Sequence, residues 1–272
     1  MEKMEHDVAG EGPTLLLMHG VLHRRKAWDA VLPLLVPHRR VVTVDLPGHG
    51  SASPLDMSGP SIIRQFLDPL DELVDQLSET GNPVHVAGNS LGGWLALALA
   101  AQGGVASATA LSPAGFWVND ADRIRAMATF RLVRAFARLG RQHTPRLMRI
   151  PPIRNLGLAP FFAHPSRVSY ETAIVDMQSL LDSPLISGHG LDFPPNADDL
   201  PPISEPAVPV TCAWGKRDVC LPIYQSRRVH QYFPHANLIV VPGVGHVPMT
   251  DNPGLIAAIL LAGSEAPGTA TH

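Results

Sequence analysis

The chain has 272 residues, of which 45% are hydrophobic, 17% charged and 6% aromatic, enough apolar material for a globular core and a composition that excludes disorder and fibres. The 21 Lys and Arg against 24 Asp and Glu leave a net charge of −3, which gives no general attraction to phosphate backbones, so nucleic acid is not an expected partner. Two cysteines, Cys212 and Cys220, are too few for a disulfide framework and suit a reducing, cytoplasmic setting. Met1 to Pro13 lacks an apolar stretch, and the longest apolar run, Trp94 to Ala101, is far short of a span. Neither a signal peptide nor an integral membrane segment is expected.

Apolar β-type runs alternate with helix-length stretches along the chain. Strands are predicted at Thr14–Met18, Val41–Asp45, Val84–Ala87 and Ala106–Leu111, with helices at Trp28–Leu35, Ser61–Ser78 and Ser90–Ala101 between them. The pattern resumes with a strand at Val210–Trp214, a helix at Ile223–Phe233, a strand at Asn237–Val241 and a helix at Pro253–Leu261, before a frayed tail from Gly263 to His272. Continuous rather than alternating apolar runs suit strands covered on both faces, as in a parallel sheet.

From Phe116 to Glu205 the strand pattern stops, and helical periodicity with Pro151-Pro152, Pro194-Pro195 and Pro201-Pro202 replaces it. The expectation is one α/β core, residues 1–115 and 206–272, with a helical lid inserted at 116–205. Arginines from Arg123 to Arg154 fill the first part of this insertion, and acids including Asp176, Asp182, Asp192 and Glu205 the second, so the two halves should attract. Met127, Phe130, Val133 and Phe136 recur at helical spacing opposite Arg131, Arg134 and Arg138. That makes an amphipathic basic helix, read first as a solvated face and second as a site for anionic lipid or acyl phosphate groups.

The Val84–Ala87 strand runs directly into Gly88-Asn89-Ser90-Leu91-Gly92 and then an Ala/Leu-rich helix. This is Gly-x-Ser-x-Gly in the strand-turn-helix context that a nucleophile elbow requires. A serine on so sharp a turn needs glycines two positions either side, where a Cβ would collide. The helix starting there aims free N–H groups and its positive end at developing negative charge.

Four further motifs follow in order: Leu17-Met18-His19-Gly20, Asp45-Leu46-Pro47-Gly48-His49-Gly50, Trp214-Gly215-Lys216-Arg217-Asp218, and Gly245-His246-Val247-Pro248-Met249. With the elbow they make the chain resemble the α/β-hydrolase superfamily, in its serine-nucleophile branch, from Thr14 to Leu261 apart from the lid. The resemblance implies the α/β-hydrolase fold, with Ser90 as nucleophile, His246 as general base and Asp218 as the carboxylate that orients the imidazole. It also implies an oxyanion hole from the backbone N–H groups of Val21 and Leu91, with Leu22 at the substrate pocket. Asp120, after the earlier strand, is an alternative acid, since some members place it there. Ser112 and Cys220 sit outside any elbow and read as structural. His19 and His49 read as loop braces and His85 as a strand residue. No metal-ligand spacing occurs, no phosphate loop or dinucleotide fingerprint is present, and no cofactor is implied.

Members of this superfamily have a β-hairpin ahead of the strand leading to His-Gly, and here only Met1 to Pro13 precedes it. A mostly parallel sheet of about six or seven strands is therefore expected, with the N-terminal edge hairpin truncated. Haloalkane dehalogenases and epoxide hydrolases of this fold carry aspartate at the elbow, so Ser90 points to acyl transfer to water. The leading expectation is hydrolysis of a small to medium apolar carboxylic ester, a small-molecule substrate, by a monomer or homodimer. The elbow is also similar to those of perhydrolases and of carbon–carbon hydrolases acting on ring-cleavage products, in which Arg24-Arg25 and the basic lid helix would meet a carboxylate. A third reading is a non-catalytic binding protein that kept the fold.

Overall fold

The structure is a computed structural model that describes residues 4–59, 61–79, 81–186, 195–204 and 207–265. The strands are β1 (His6–Ala9), β2 (Thr14–Met18), β3 (Arg40–Val44), β4 (Val84–Asn89), β5 (Ser107–Leu111), β6 (Val210–Gly215) and β7 (Asn237–Val241). They form one seven-stranded sheet in the order β1-β3-β2-β4-β5-β6-β7. Only β1 is antiparallel, pairing His6 with Val44 and Ala9 with Val41; every other pairing is parallel. Among the described residues one strand, β1, precedes β2, and the seven strands fall within the expected six or seven. Central strands β2, β4 and β5 are buried along their whole length; β2 is apolar without alternation, whereas β4 and β5 also bury polar residues, His85 and Asn89 in the one and Ser107 and Thr109 in the other.

The helices are α1 (Leu32–Leu35), α2 (Ile62–Ser78), α3 (Leu91–Gln102), α4 (Asp120–Leu139), α5 (Thr144–Met148), α6 (Pro151–Leu158), α7 (Tyr170–Asp182), α8 (Val229–Tyr232), α9 (Pro248–Asp251) and α10 (Pro253–Gly263). Helix α3 packs on β2, β4 and β5 with α2 against it, and α10 packs on β5 and β6 with α1 against it. The length of α3 between Leu91 and Ala101 is buried, so its sequence is apolar all round.

Two predicted helices break up. Trp28–Leu35 becomes a 3-10 turn, Arg25–Trp28, followed by the four-residue α1, which has Pro33 in its first turn and Pro37 just beyond it. Ile223–Phe233 becomes a 3-10 segment, Ile223–Arg228, leading into α8. At the C-terminus α10 extends through Gly263, so the order runs slightly further than expected; residues 266–272 lie outside the described set.

Between β5 and β6 the chain leaves the sheet and forms α4 to α7. Asn119 caps α4 by accepting from the Asp122 N–H, and Ser169 caps α7 by accepting from Thr172. The expected attraction between the halves takes the form of Arg134 donating to the Leu180 and Leu181 carbonyls at the end of α7, and of Arg141 facing Asp182 at 3.8 Å. Asp192, Pro194 and Glu205, with the 205/206 boundary drawn from the sequence, lie outside the described residues.

Candidate active site

The turn from β4 into α3 puts Ser90 at φ +56° and ψ −112°, a left-handed conformation that a non-glycine residue holds only under constraint. Its peptide is pinned by neighbours: Ser90 N–H donates to the Leu111 carbonyl at 3.0 Å, and the Ser90 carbonyl accepts from Trp94 and Ala114, each at 3.0 Å. The flanking glycines leave no space for a side chain. A Cβ on Gly88 would lie 2.2 Å from the Gly92 carbonyl, and one on Gly92 would lie 2.1 Å from the Met18 carbonyl.

Asp218 follows β6 and His246 follows β7, and both are buried. His246 Nδ1 and Asp218 Oδ2 are 2.8 Å apart, while Asp218 Oδ1 accepts from the Leu221 N–H at 2.8 Å. His246 and Ser90 line the same two small cavities, with Asp218 behind His246, so the structure brings the three to one site although the chain separates them widely. Asp120 is exposed at the start of α4 and Ser112 lies buried at the end of β5, accepting from the Gly215 N–H; neither joins this cluster. Cys220 is buried, its thiol donating to the Pro160 carbonyl at 3.1 Å.

Val21 borders both cavities, Leu91 one and Leu22 the other. The Gly20 carbonyl accepts from His19 Nδ1 at 2.8 Å and from the His23 N–H at 3.0 Å. Peptide planarity turns the Val21 N–H to the opposite side. His49 Nε2 donates to the Val21 carbonyl at 2.7 Å, and His19 Nε2 accepts from the Leu46 N–H at 3.0 Å. Burial drives the His19 imidazole well below its ordinary range, with His49 adding to the effect, and burial also lowers His49. Both braces are therefore neutral near pH 7. The Asp45 carboxylate organises the next loop by accepting from Arg25 N–H at 2.7 Å and Ser51 N–H at 3.1 Å.

Three residues of the site escape sequence reasoning. Asn89, the variable position of the elbow, donates from Nδ2 to the His246 carbonyl at 2.9 Å and the Leu111 carbonyl at 3.0 Å. Asp251 accepts from the N–H groups of Ala163 at 2.9 Å, His164 at 2.7 Å and Gly245 at 2.7 Å, tying the His246 loop to the turn after α6. His23 Nδ1 meets Asp176 Oδ1 at 3.1 Å, joining the loop after β2 to α7 at the rim of the Ser90 cavity. Polar residues inside a motif or next to a helix start hint at Asn89 and Asp251, but nothing local pairs residues 23 and 176.

The cavities beside Ser90 measure about 30 and 20 Å³ and are walled by Phe130, Leu158, Phe161, Phe162 and Met177 on one side and Trp117, Met127, Ile186 and Leu221 on the other. Beyond His23, Phe162, Asp176 and Val247, which border both spaces, an outer cavity of about 480 Å³ opens with Arg24, Lys26 and Arg167 in its wall. Among the described residues no three His, Cys, Asp or Glu side chains cluster so as to hold a metal ion.

A family model described as the alpha/beta hydrolase family matches residues 15–259. The chain belongs to that family. It is a hydrolase, and its relatives are divided in chemistry. It is 26% identical over 256 residues to a pimeloyl-[acyl-carrier protein] methyl ester esterase of Nitrosomonas europaea, covering 93% of this chain and 96% of that one. It is 30% identical over 197 residues to the epoxide hydrolase EphH of Mycobacterium tuberculosis, covering 70% and 90%. Among solved structures, a thermophilic esterase from Thermogutta terrifontis superposes with a TM-score of 0.68 at 22% identity, over 94% of this chain and 90% of that one. A meta-cleavage product hydrolase from Pseudomonas fluorescens superposes at 0.69 with 19% identity, over 95% and 93%.

Proposed function

We propose that this hydrolase cleaves a small to medium apolar carboxylic ester through an acyl-enzyme on Ser90. The observation that carries the reading is the 2.8 Å contact of His246 with the Asp218 carboxylate on a cavity shared with the strained Ser90. In this reading His246 takes the Ser90 proton as Oγ attacks the ester carbonyl, and returns it to the departing alcohol. Asp218 holds the ring with Nε2 toward the serine and stabilises the imidazolium as it forms. The Val21 and Leu91 N–H groups receive the oxyanion, a pair of donors typically contributing several kcal/mol to the barrier. Water then attacks the acyl-enzyme with the same base.

Two narrow cavities diverging from Ser90 suit the two halves of an ester, and their apolar walls suit an apolar substrate. Each has room for about one water rather than an ester. Residues 116–205 are accordingly read as a lid over the core of 1–115 and 206–272, and it moves when substrate enters. The serine at position 90 separates this chain from the aspartate-dependent epoxide chemistry implied for the fold. The carbon–carbon alternative needs a cation beside Ser90. Among the described residues neither cavity wall contains Arg or Lys, and Arg25 is engaged by Asp7 at 2.9 Å and Asp45 at 3.4 Å.

Intact mass after exposure to a fluorophosphonate tests the mechanism. One adduct on the protein and none on Ser90→Ala is expected, with loss of p-nitrophenyl ester turnover in the variant. A protein that turns over the ester equally well as Ser90→Ala refutes the reading.

A further inference from the structure

Helix α4 is apolar on two opposite sides. Its inner side, with Met127 and Phe130, is buried and walls the Ser90 cavities. Its outer side carries Ile124, Leu132, Phe136 and Leu139 at 64%, 59%, 67% and 87% exposure. These four positions fall on one stripe of the helix, and Leu147 on α5, Ile150 at the start of α6 and Leu156 on α6 are exposed apolar residues as well. So many large apolar side chains exposed on one stretch of a globular protein mark a contact with something other than water.

The charge around it is predominantly positive, the exceptions being Asp120 one turn before Ile124 and Asp182 facing Arg141. From residue 123 to residue 170 there are ten arginines and no lysine, aspartate or glutamate, in a chain whose net charge is −3. Arg131, Arg138, Arg141, Arg146 and Arg149 are exposed among the apolar side chains. The contacts they have are slight: Arg141 faces Asp182 at 3.8 Å with both side chains more than half exposed, and Arg149 lies over the Tyr170 ring. No described helix is long and apolar enough to cross a membrane, whereas an exposed apolar stripe bordered by arginines is the pattern of a helix that lies in an interface.

We propose that the outer face of α4 to α6 docks on an anionic lipid surface, with Leu139, Phe136 and Leu132 entering the acyl boundary and the arginines at the headgroups. Charge complementarity selects this occupant. A second copy of the chain related by a two-fold axis would place arginine against arginine, whereas a negative bilayer satisfies both the apolar stripe and its cationic border. The inference is independent of the chemistry assigned to Ser90, and it makes the roof of the Ser90 cavities the part of the molecule nearest the lipid.

The test is sedimentation of the intact protein with vesicles of pure phosphatidylcholine and of phosphatidylcholine with 30% phosphatidylglycerol, an ester assay being unnecessary. Binding is expected only to the anionic vesicles, weakening as NaCl is raised. Each arginine removed from such a surface lowers partitioning about fivefold, so Arg131→Ala/Arg138→Ala should lose about 25-fold. Leu139→Ser, at a side chain that packs on little of the protein, should also release it while leaving the melting temperature unchanged. Equal partitioning to both vesicle types, no partitioning to either, or a stable dimer by light scattering that Leu139→Ser dissociates would each overturn the proposal.

Discussion

Asp251 is the residue whose removal reports most directly on how the His246 loop is held. Its carboxylate is buried and accepts from three main-chain N–H groups at 2.7, 2.7 and 2.9 Å, two on residues 163 and 164 and one on Gly245, next to His246. Hydrogen bonds to a charged acceptor contribute about 1.5–3 kcal/mol each, and Asp251→Ala removes all three. Water entering the space left by the carboxylate recovers part of this, so a loss of about 3–6 kcal/mol is expected. At about 2–4 °C per kcal/mol for a protein of this size, the melting temperature falls by roughly 6–24 °C. Because a misplacement of about 1 Å in a positioned group can cost 10²-fold in rate, kcat toward a p-nitrophenyl ester should fall by about that factor below the melting transition. Asp251→Asn keeps one oxygen and turns an amide toward an N–H donor, so it should lie between the two. Calorimetry and steady-state kinetics on the three proteins decide the matter. A melting shift under about 2 °C with kcat within about twofold would refute the argument that this carboxylate clamps the loop.

Asn89→Ala takes the Asn89 donor from the His246 carbonyl, while the Leu111 carbonyl keeps the Ser90 N–H, and should cost about 1–3 kcal/mol in urea unfolding together with kcat; a loss confined to kcat would mean that water replaces the amide. Gly92→Ala would place Cβ 2.1 Å from the Met18 carbonyl and should destabilise by about 3 kcal/mol or more, whereas Gly254→Ala, with nothing within 4 Å, should be neutral or slightly stabilising by thermal melt. His19 and His49 are depressed below 6.5 by burial, so the unfolded chain binds more protons as pH drops through that value. Stability is therefore complete above pH 6.5 and is lost below it by up to about 1.4 kcal/mol per pH unit per histidine; melting temperatures equal at pH 7.5 and 5.5 would contradict this. Burial pushes the Cys212 thiol up to about 12 and raises Cys220, where Asp218 adds to it, so a disulfide reagent should titrate no thiol in the folded protein and two after denaturation.

Much of the fold was readable because its signals are local. A strand covered on both faces needs an uninterrupted apolar run, which is why Thr14–Met18 was placed to the residue; Asn237–Val241 was placed as well from its apolar run, although this edge strand is largely exposed or half-buried. The elbow was readable because steric exclusion around Ser90 demands glycine at 88 and 92 in fixed register. The order of Ser90, Asp218 and His246 along the chain followed from the same kind of motif. The helices beginning near Trp28 and Ile223 were less legible, since nearby prolines decide whether a turn is α or 3-10 and both satisfy the same periodicity.

Long-range pairing decided the rest. His23 and Asp176 lie 153 residues apart, and Asp251 reaches back 88 residues to Ala163; neither partner constrains the other's neighbourhood in sequence. Helix α4 shows the limit most plainly. The periodicity of Met127, Phe130, Val133 and Phe136 gave an amphipathic helix with these four opposite the arginines, yet the structure buries Met127 and Phe130 and leaves Phe136 exposed, as it does Leu132 and Leu139. A helical period records which side chains share a face, but which face is covered depends on what packs there. Here α7 and the Ser90 cavities take one side, and nothing within the described chain takes the other.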